Sequence, residues 1–331
     1  MVNLSALIAG LALTFSAAAT GARSTERAPL DLQGYADAQG AISVQYKGDT
    51  VDPYFSMQAL LLAHDNGMNV SAYVLPWANW LVQRQKPDAT FDRFCRNGPV
   101  WAPCKTADAD DSVLALWMRL LDTVPKQRDS DPAFVKSYAR SQAALGRLLD
   151  PKRGVYLVSP VYQHGLFMDN LEVLSWHLSV PPDKTKHIKP TAPQLAKGIR
   201  SVFWDRESKS FLVSTQPEQK TVVPAFYPEF VAQILPLLFN FPTPGMDSKP
   251  LYRNWMRLHR ATWLAQSKHD FSWGLLAIIA LRANDRATAA CWLRETAPAR
   301  HTSHWIATDE VARQILLTHN VTAAAPDANC L

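Results

Sequence analysis

Residues 112–121 read SVLALWMRLL, and residues 134–149 read FVKSYARSQAALGRLL. In the first segment apolar side chains fill almost every position around a helical turn; only Ser112 and Arg119 are polar. In the second, Lys136, Arg140, Gln142 and Arg147 interrupt the apolar pattern and leave a polar stripe. A helix apolar on every face must be covered on every face, whereas an amphipathic helix covers something and meets water on its other side. The pair reads as an inner helix followed by an outer one.

The alternation recurs. FMDNLEVLSWHL (167–178) precedes LAKGIRSVFW (195–204), FVAQILPLLF (230–239) precedes LYRNWMRLHRATWL (251–264), and SWGLLAIIALRA (272–283) precedes RATAACWLRE (286–295). Spacings of three and four predict eleven helices: 53–66, 71–86, 109–123, 131–149, 168–179, 191–204, 226–240, 249–266, 271–283, 284–296 and 306–318. GVYLVSP (154–160) and SFLVST (210–215) read as short hairpin strands. Helical hairpins in series with strands only in the connections predict an all-α fold, an (α/α)6 toroid in two concentric rings.

In such a toroid the inner helices run the same way and their first turns meet at one mouth. The inner starts carry acids and aromatics together: Asp52 and Tyr54; Trp101, Asp108, Asp110 and Asp111; His164, Asp169 and Glu172; Tyr227 and Glu229; His269, Asp270 and Trp273; then Trp305 with Asp309 and Glu310. Any one of these acids serves equally well as a helix N-cap, and Asp169 with Glu172 has capping-box spacing. Three carboxylates at one start exceed what a cap requires. Carboxylates opposite aromatic rings suit a carbohydrate, whose hydroxyls accept and donate hydrogen bonds and whose C–H faces stack on rings. Two carboxyls in different environments divide into a general acid and a base, one kept protonated by a neighbouring like charge. The expected catalytic set is Asp108, Asp110, Asp111, Asp169, Glu172 and Asp270. The expected substrate-binding set is Asp52, Tyr54, Trp101, His164, Tyr227, Glu229, His269, Trp273 and Trp305. Trp77, Trp80, Trp117, Trp176, Trp255, Trp263 and Trp292 lie inside helices and read as core.

TADADDSVLALW (106–117), GLFMDNLEVLSW (165–176), SVFWDRESKSFLV (201–213) and HDFSWGLLAIIAL (269–281) resemble inner-helix starts and hairpin turns of the six-hairpin glycosidase-like superfamily. The resemblance covers about residues 40–320. It implies an (α/α)6 toroid acting on an oligo- or polysaccharide, often by inverting hydrolysis or vinyl-ether hydration, with Asp169-Asn170 where related enzymes place an acidic residue. The reading that follows is a glycoside hydrolase. The alternative is a non-catalytic sugar-binding protein of an exopolysaccharide assembly or export system on the same scaffold. Asp108-Ala109-Asp110-Asp111 also resembles the DxDD proton donor of class II terpene cyclases, but the repeated Gln/Trp turns of that group do not occur.

The remaining features narrow the classes. LSALIAGLALTFSAAATGA (4–22) is an apolar run followed by small residues, an export signal over 1–22, although no Lys or Arg precedes it. Residues 23–39 are a polar arm, 40–320 the domain, and 321–331 a tail. A formal net charge of +5 over 331 residues, without a basic stripe, argues against nucleic acid. No membrane span follows the signal, and the expectation is a monomer, periplasmic or secreted. Cys95 and Cys104 bracket RNGPVWAP and suit a disulfide in an oxidising compartment; a pairing of Cys291 with Cys330 stays open. The acidic cluster lacks the glycine and bidentate Glu of an EF-hand, and His301 and His304 lack a nearby Glu. No metal and no cofactor are expected.

Overall fold

A computed structural model describes residues 27–107, 109–181 and 188–330. In chain order, β1 (Thr50–Val51) leads into α1 (Pro53–Asp65) and α2 (Ser71–Val82), followed by β2 (Asp92–Asn97) and β3 (Val100–Thr106). Then come α3 (Asp110–Asp122), α4 (Pro125–Ser130), α5 (Pro132–Arg147), β4 (Leu149–Asp150), β5 (Val155–Tyr156), α6 (Phe167–Ser179) and α7 (Ala192–Phe203). The chain continues through β6 (Trp204–Asp205), β7 (Ser210–Phe211), α8 (Val231–Ile234), α9 (Ser248–Ala265), α10 (Gly274–Arg282), α11 (Arg286–Thr296) and α12 (Ala307–Thr318).

The predicted rings are present. α1 packs on α3, α3 on α6, and α10 on α12; α12 returns to pack on α1 and closes the inner ring. α2, α5, α7, α9 and α11 pack outside their sequence neighbours. The reason is visible in burial. α10 has seven consecutive buried residues, Gly274 to Ala280, and α3 has ten in its thirteen positions. α9 buries only Leu251, Tyr252, Trp255, Met256, Trp263 and Leu264, one stripe of a longer helix. The seven helix-interior tryptophans are all buried. Trp117 lies edge-on between Phe91 and Phe134, its indole N–H donating to Ser137 Oγ at 2.9 Å.

The fourth inner helix departs from the expected 226–240. It is a composite: a wide turn over Phe226–Phe230, then α8, then a tight turn over Leu235–Leu237. Pro228 and Pro236 each lack the N–H that a continuous helix needs, and Tyr227 is extended at φ −118° and ψ 132°. The stretch between Cys95 and Cys104 belongs to the antiparallel hairpin β2–β3, which β1 extends. The Cys95–Cys104 disulfide joins its strands.

The packed unit extends past both expected boundaries. Leu30, Leu32 and Tyr35 of the arm are buried. Among the described residues no outer helix follows α12, and the arm packs beside it. Gln314 exchanges two hydrogen bonds with the Asp31 backbone, at 2.9 and 2.6 Å, and Ala307 N–H donates to Val44 O at 2.9 Å. At the other end Cys330 is buried and bonded to Cys291, while Arg294 donates to the carbonyls of Ala325 and Ala328. This bridge closes a loop with a sequence separation of 39 residues. Its removal in Cys330→Ser is expected to cost about 2–4 kcal/mol. Urea unfolding checks this, and an unchanged midpoint would show that the tail contributes nothing.

Candidate active site

The aligned first turns of the inner helices surround a cavity of about 620 Å3. Tyr54 and Phe55 come from α1, Ser112 from α3, Met168 and Asp169 from α6, Tyr227 from the turn before α8, Trp273 from the start of α10, and Thr308 and Asp309 from α12. Two aromatic arrays form its walls. Tyr54 meets Phe55 edge-on at 5.2 Å, and Phe55 meets Phe271 at 5.9 Å. Tyr227 lies tilted against Trp273 at 4.9 Å, with Phe226 edge-on to Trp273 at 6.0 Å.

Trp273 sits at φ +54°, ψ +51°, immediately before α10. A bulky residue in the left-handed region costs on the order of 1–2 kcal/mol. This conformation accompanies a ring on the cavity wall, with an indole N–H that no protein acceptor takes. Ser112 Oγ, on the opposite wall, also lacks a protein partner. Strain and unspent polar groups at one concave surface are features of ligand sites.

Of the expected residues, Asp52, Tyr54, His164, Asp169, Tyr227, Asp270 and Trp273 line this cavity. Asp52 caps α1 by accepting Tyr54 N–H at 3.0 Å and pairs with Arg93 Nε at 2.6 Å. Arg93 was not among the expected residues. It arrives on β2, and no periodic pattern linked that strand to a helix start. Asp309, noted in the sequence but not chosen, also lines the cavity; it ties the starts of α10 and α12 together by accepting Gly274 N–H at 2.7 Å and Ile306 N–H at 3.1 Å. Burial pushes its carboxyl up to about 7 against these hydrogen bonds.

Other expected residues stand elsewhere. Asp108 lies outside the described residues. Asp110 turns away, toward Lys86, Asp88 and Asp92; adjacent helical residues point about 100° apart, so Asp111 turns inward and is fully buried. Trp101 belongs to β3, where its indole N–H donates to Asp37 Oδ2 at 2.8 Å and the Arg96 guanidinium covers its ring. Trp305 is core, stacked on Trp292 with its N–H on Glu310. Glu229 accepts from Gln219 and from Ala225 N–H, and His269 is exposed; neither lines the cavity.

Beneath Asp169 lies a cluster of acids. Glu172 is one turn further along α6, buried, and accepts the Tyr54 hydroxyl at 2.7 Å. Burial, reinforced by Asp169, pushes its carboxyl from 4.5 up to about 8. Asp111 is raised well above its ordinary value by burial and then by Asp169 and Glu172, against a hydrogen bond from Ser112 N–H at 2.9 Å. Three carboxyls in one low-dielectric pocket do not ionise together, so the cluster holds at least one proton at neutral pH. Asp169 is the member that opens on the cavity.

No protein-family model and no curated protein sequence matches the chain. Solved structures do match in three dimensions. A novel alpha-amylase from Clostridium perfringens superposes with a TM-score of 0.58 at 9% identity, over 88% of this chain and 95% of the other. A rhamnosidase from Klebsiella oxytoca with rhamnose bound gives 0.54 at 10%, over 85% and 60%. The GH63 mannosylglycerate hydrolase from Thermus thermophilus in complex with glucose gives 0.52 at 12%, over 87% and 98%. The fold shared with these structures is an (α/α)6 toroid. At these identities the likeness establishes architecture; chemistry has to come from the residues of this chain.

The buried acids set a pH dependence of stability. Between 4.5 and about 8 the folded chain keeps on Glu172 a proton that the unfolded chain has released, so stability falls as pH rises through that window. Asp309 adds to the fall between 3.8 and about 7. The melting temperature is expected to drop from pH 5 to pH 8 by on the order of 5 °C, with Glu172→Gln flattening the slope. Calorimetry across that range measures it; a melting temperature that rises toward pH 8 contradicts the assignment.

Proposed function

We propose that the chain is an exported hydrolase of glycosidic bonds in an oligo- or polysaccharide. The observation that carries this reading is the proton-holding cluster of Asp111, Asp169 and Glu172, of which Asp169 opens on an aromatic-walled cavity. Asp169 donates the proton to the departing glycosidic oxygen, because it alone of the three faces the cavity. Asp270, half-buried on the α10 side, activates the attacking water. Trp273 and Tyr227 stack on the sugar face, and the indole N–H takes a hydroxyl oxygen. The Asp52–Arg93 pair fixes the mouth on the hairpin side.

Export is supported by two disulfides, Cys95–Cys104 and Cys291–Cys330, which persist in oxidising compartments. Among the described residues no helix is long and apolar enough to cross a membrane. The proposed signal, residues 1–22, lies outside the described residues.

One observation favours a second reading. Asp52 and Asp309 both spend carboxylate oxygens on backbone N–H groups, as acids do in a toroid that only binds sugar. Reducing-end release by the mature protein over a polysaccharide panel, with calorimetric binding in parallel, separates the two; binding without product favours the second. On a cleaved substrate, Asp169→Asn is expected to lower kcat by at least about 100-fold, while Trp273→Ala mainly raises KM. Full activity in Asp169→Asn rules out the assigned acid.

A further inference from the structure

The toroid is hollow from both ends. A second cavity, of about 570 Å3, opens among the last turns of the inner helices, on the face away from the aromatic mouth. Asp65 and Asn66 line it at the end of α1, Arg119 toward the end of α3, Ser179 at the end of α6, and Arg282 at the end of α10. Gln58, Leu235 and Leu275 border both hollows and form a waist between them. Glu172 stands at the same level, in the wall of the rear cavity rather than the front one. Ser175 and Ser179 follow it at spacings of three and seven along one face of α6, a polar row leading outward.

Hydrogen bonds cross the waist. Thr308 hydroxyl donates to Gln58 Oε1 at 3.3 Å, Gln58 Nε2 donates to the Tyr54 hydroxyl at 2.9 Å, and that hydroxyl donates to Glu172 Oε1. Glu172 Oε2 has no protein partner. The arginines of the rear rim are spent: Arg119 on Asp65 at 2.7 Å, and Arg282 on the Leu238 carbonyl and Asn66. They balance the helix C-termini and leave no strong anion site. A polar, roomy hollow ending at a buried carboxyl suits water.

We propose that the rear cavity is a proton inlet, through which Glu172 exchanges with solvent and recharges Asp169 from behind while sugar fills the front. The recharging step rests on the hydrolase reading above; the exchange route does not. In each turnover Asp169 loses one proton to the leaving oxygen, Glu172 passes its own proton one turn up the helix, and Glu172 regains one from water in the rear cavity. Asp270, which took a proton from the attacking water, releases it at the front mouth, so charge balances. The charged and titratable groups facing Glu172 are Asp169 on its own helix, Tyr54 and Asp65 on α1, Asp111 and Arg119 on α3, and Arg282 at the rim; the stretch after α8 offers only the uncharged Leu235, Leu238, Phe239 and Asn240.

All four cysteines are in disulfides, so one introduced thiol is unique. Ser175→Cys places it one turn outward from Glu172. The protonated carboxyl of Glu172 gives an infrared C=O band identified by its loss in Glu172→Gln, and its deuterium exchange is timed after mixing into D2O. Capping the thiol of folded Ser175→Cys with a bulky methanethiosulfonate is expected to slow that exchange at least about tenfold, while the same cap on Tyr162→Cys at the front rim leaves it within about twofold. The uncapped protein controls for folding. A thiol that resists capping, an exchange rate unmoved by the cap, or a Glu172 band absent at neutral pH each overturns the inlet. If the inlet behaves as expected and no polysaccharide is cleaved, the hydrolase reading fails alone. If a substrate is cleaved and the capped protein keeps its full kcat, the recharging role fails alone.

Discussion

A helix without a polar face has to be surrounded, and that constraint shapes the rest of the molecule. α3 and α10 are buried nearly throughout. Neighbouring inner helices cover part of each surface, and amphipathic partners cover the outside. Each inner helix before α12 is followed by an outer return, so the inner ones all point the same way. Parallel alignment gathers positive helix ends and their capping acids at one mouth. The acids are therefore concentrated by a packing requirement before any chemistry is asked of them.

That origin explains how one set of residue types divides into structural and chemical roles. Asp52 and Asp309 sit at first turns and satisfy backbone donors. Asp111 and Glu172 lie where the apolar wall begins, so their solvation is lost and their protons are retained. Asp169 stands between the two regimes, backed by the buried pair and facing the hollow. The same ring arrangement recurs in structures named an alpha-amylase, a rhamnosidase and a mannosylglycerate hydrolase.

The ring arrangement was legible because it depends on burial, and burial leaves periodic traces. Most helix limits follow within a few residues for the same reason. The composite fourth inner helix was not, because its apolar pattern continues across two prolines that break the hydrogen bonding. Of the helix-start residues, Asp169, Tyr227 and Trp273 line the cavity, whereas Trp101 and Trp305 do not. Which side of a turn a ring occupies depends on one residue of backbone: Trp273 lies left-handed on the cavity, while Trp305 stacks inward on Trp292. Glu172 lies one turn from Asp169 on the same helix, yet depth along an inner helix has no signature in sequence, so its separation from the front cavity emerged only in three dimensions.

The closing contact between α1 and α12 joins segments about 250 residues apart, as the Thr308–Gln58 hydrogen bond shows. The seam is held from outside by the arm, which bonds Gln314 of α12 through Asp31 and the Asn69 carbonyl beyond α1 through Leu30. During synthesis, then, no nascent length short of α12 encloses the hollow, and its aromatic walls stay open until that helix has been made. Such long-range closure is slow compared with hairpin formation, so the hairpins exist before the hollow they enclose.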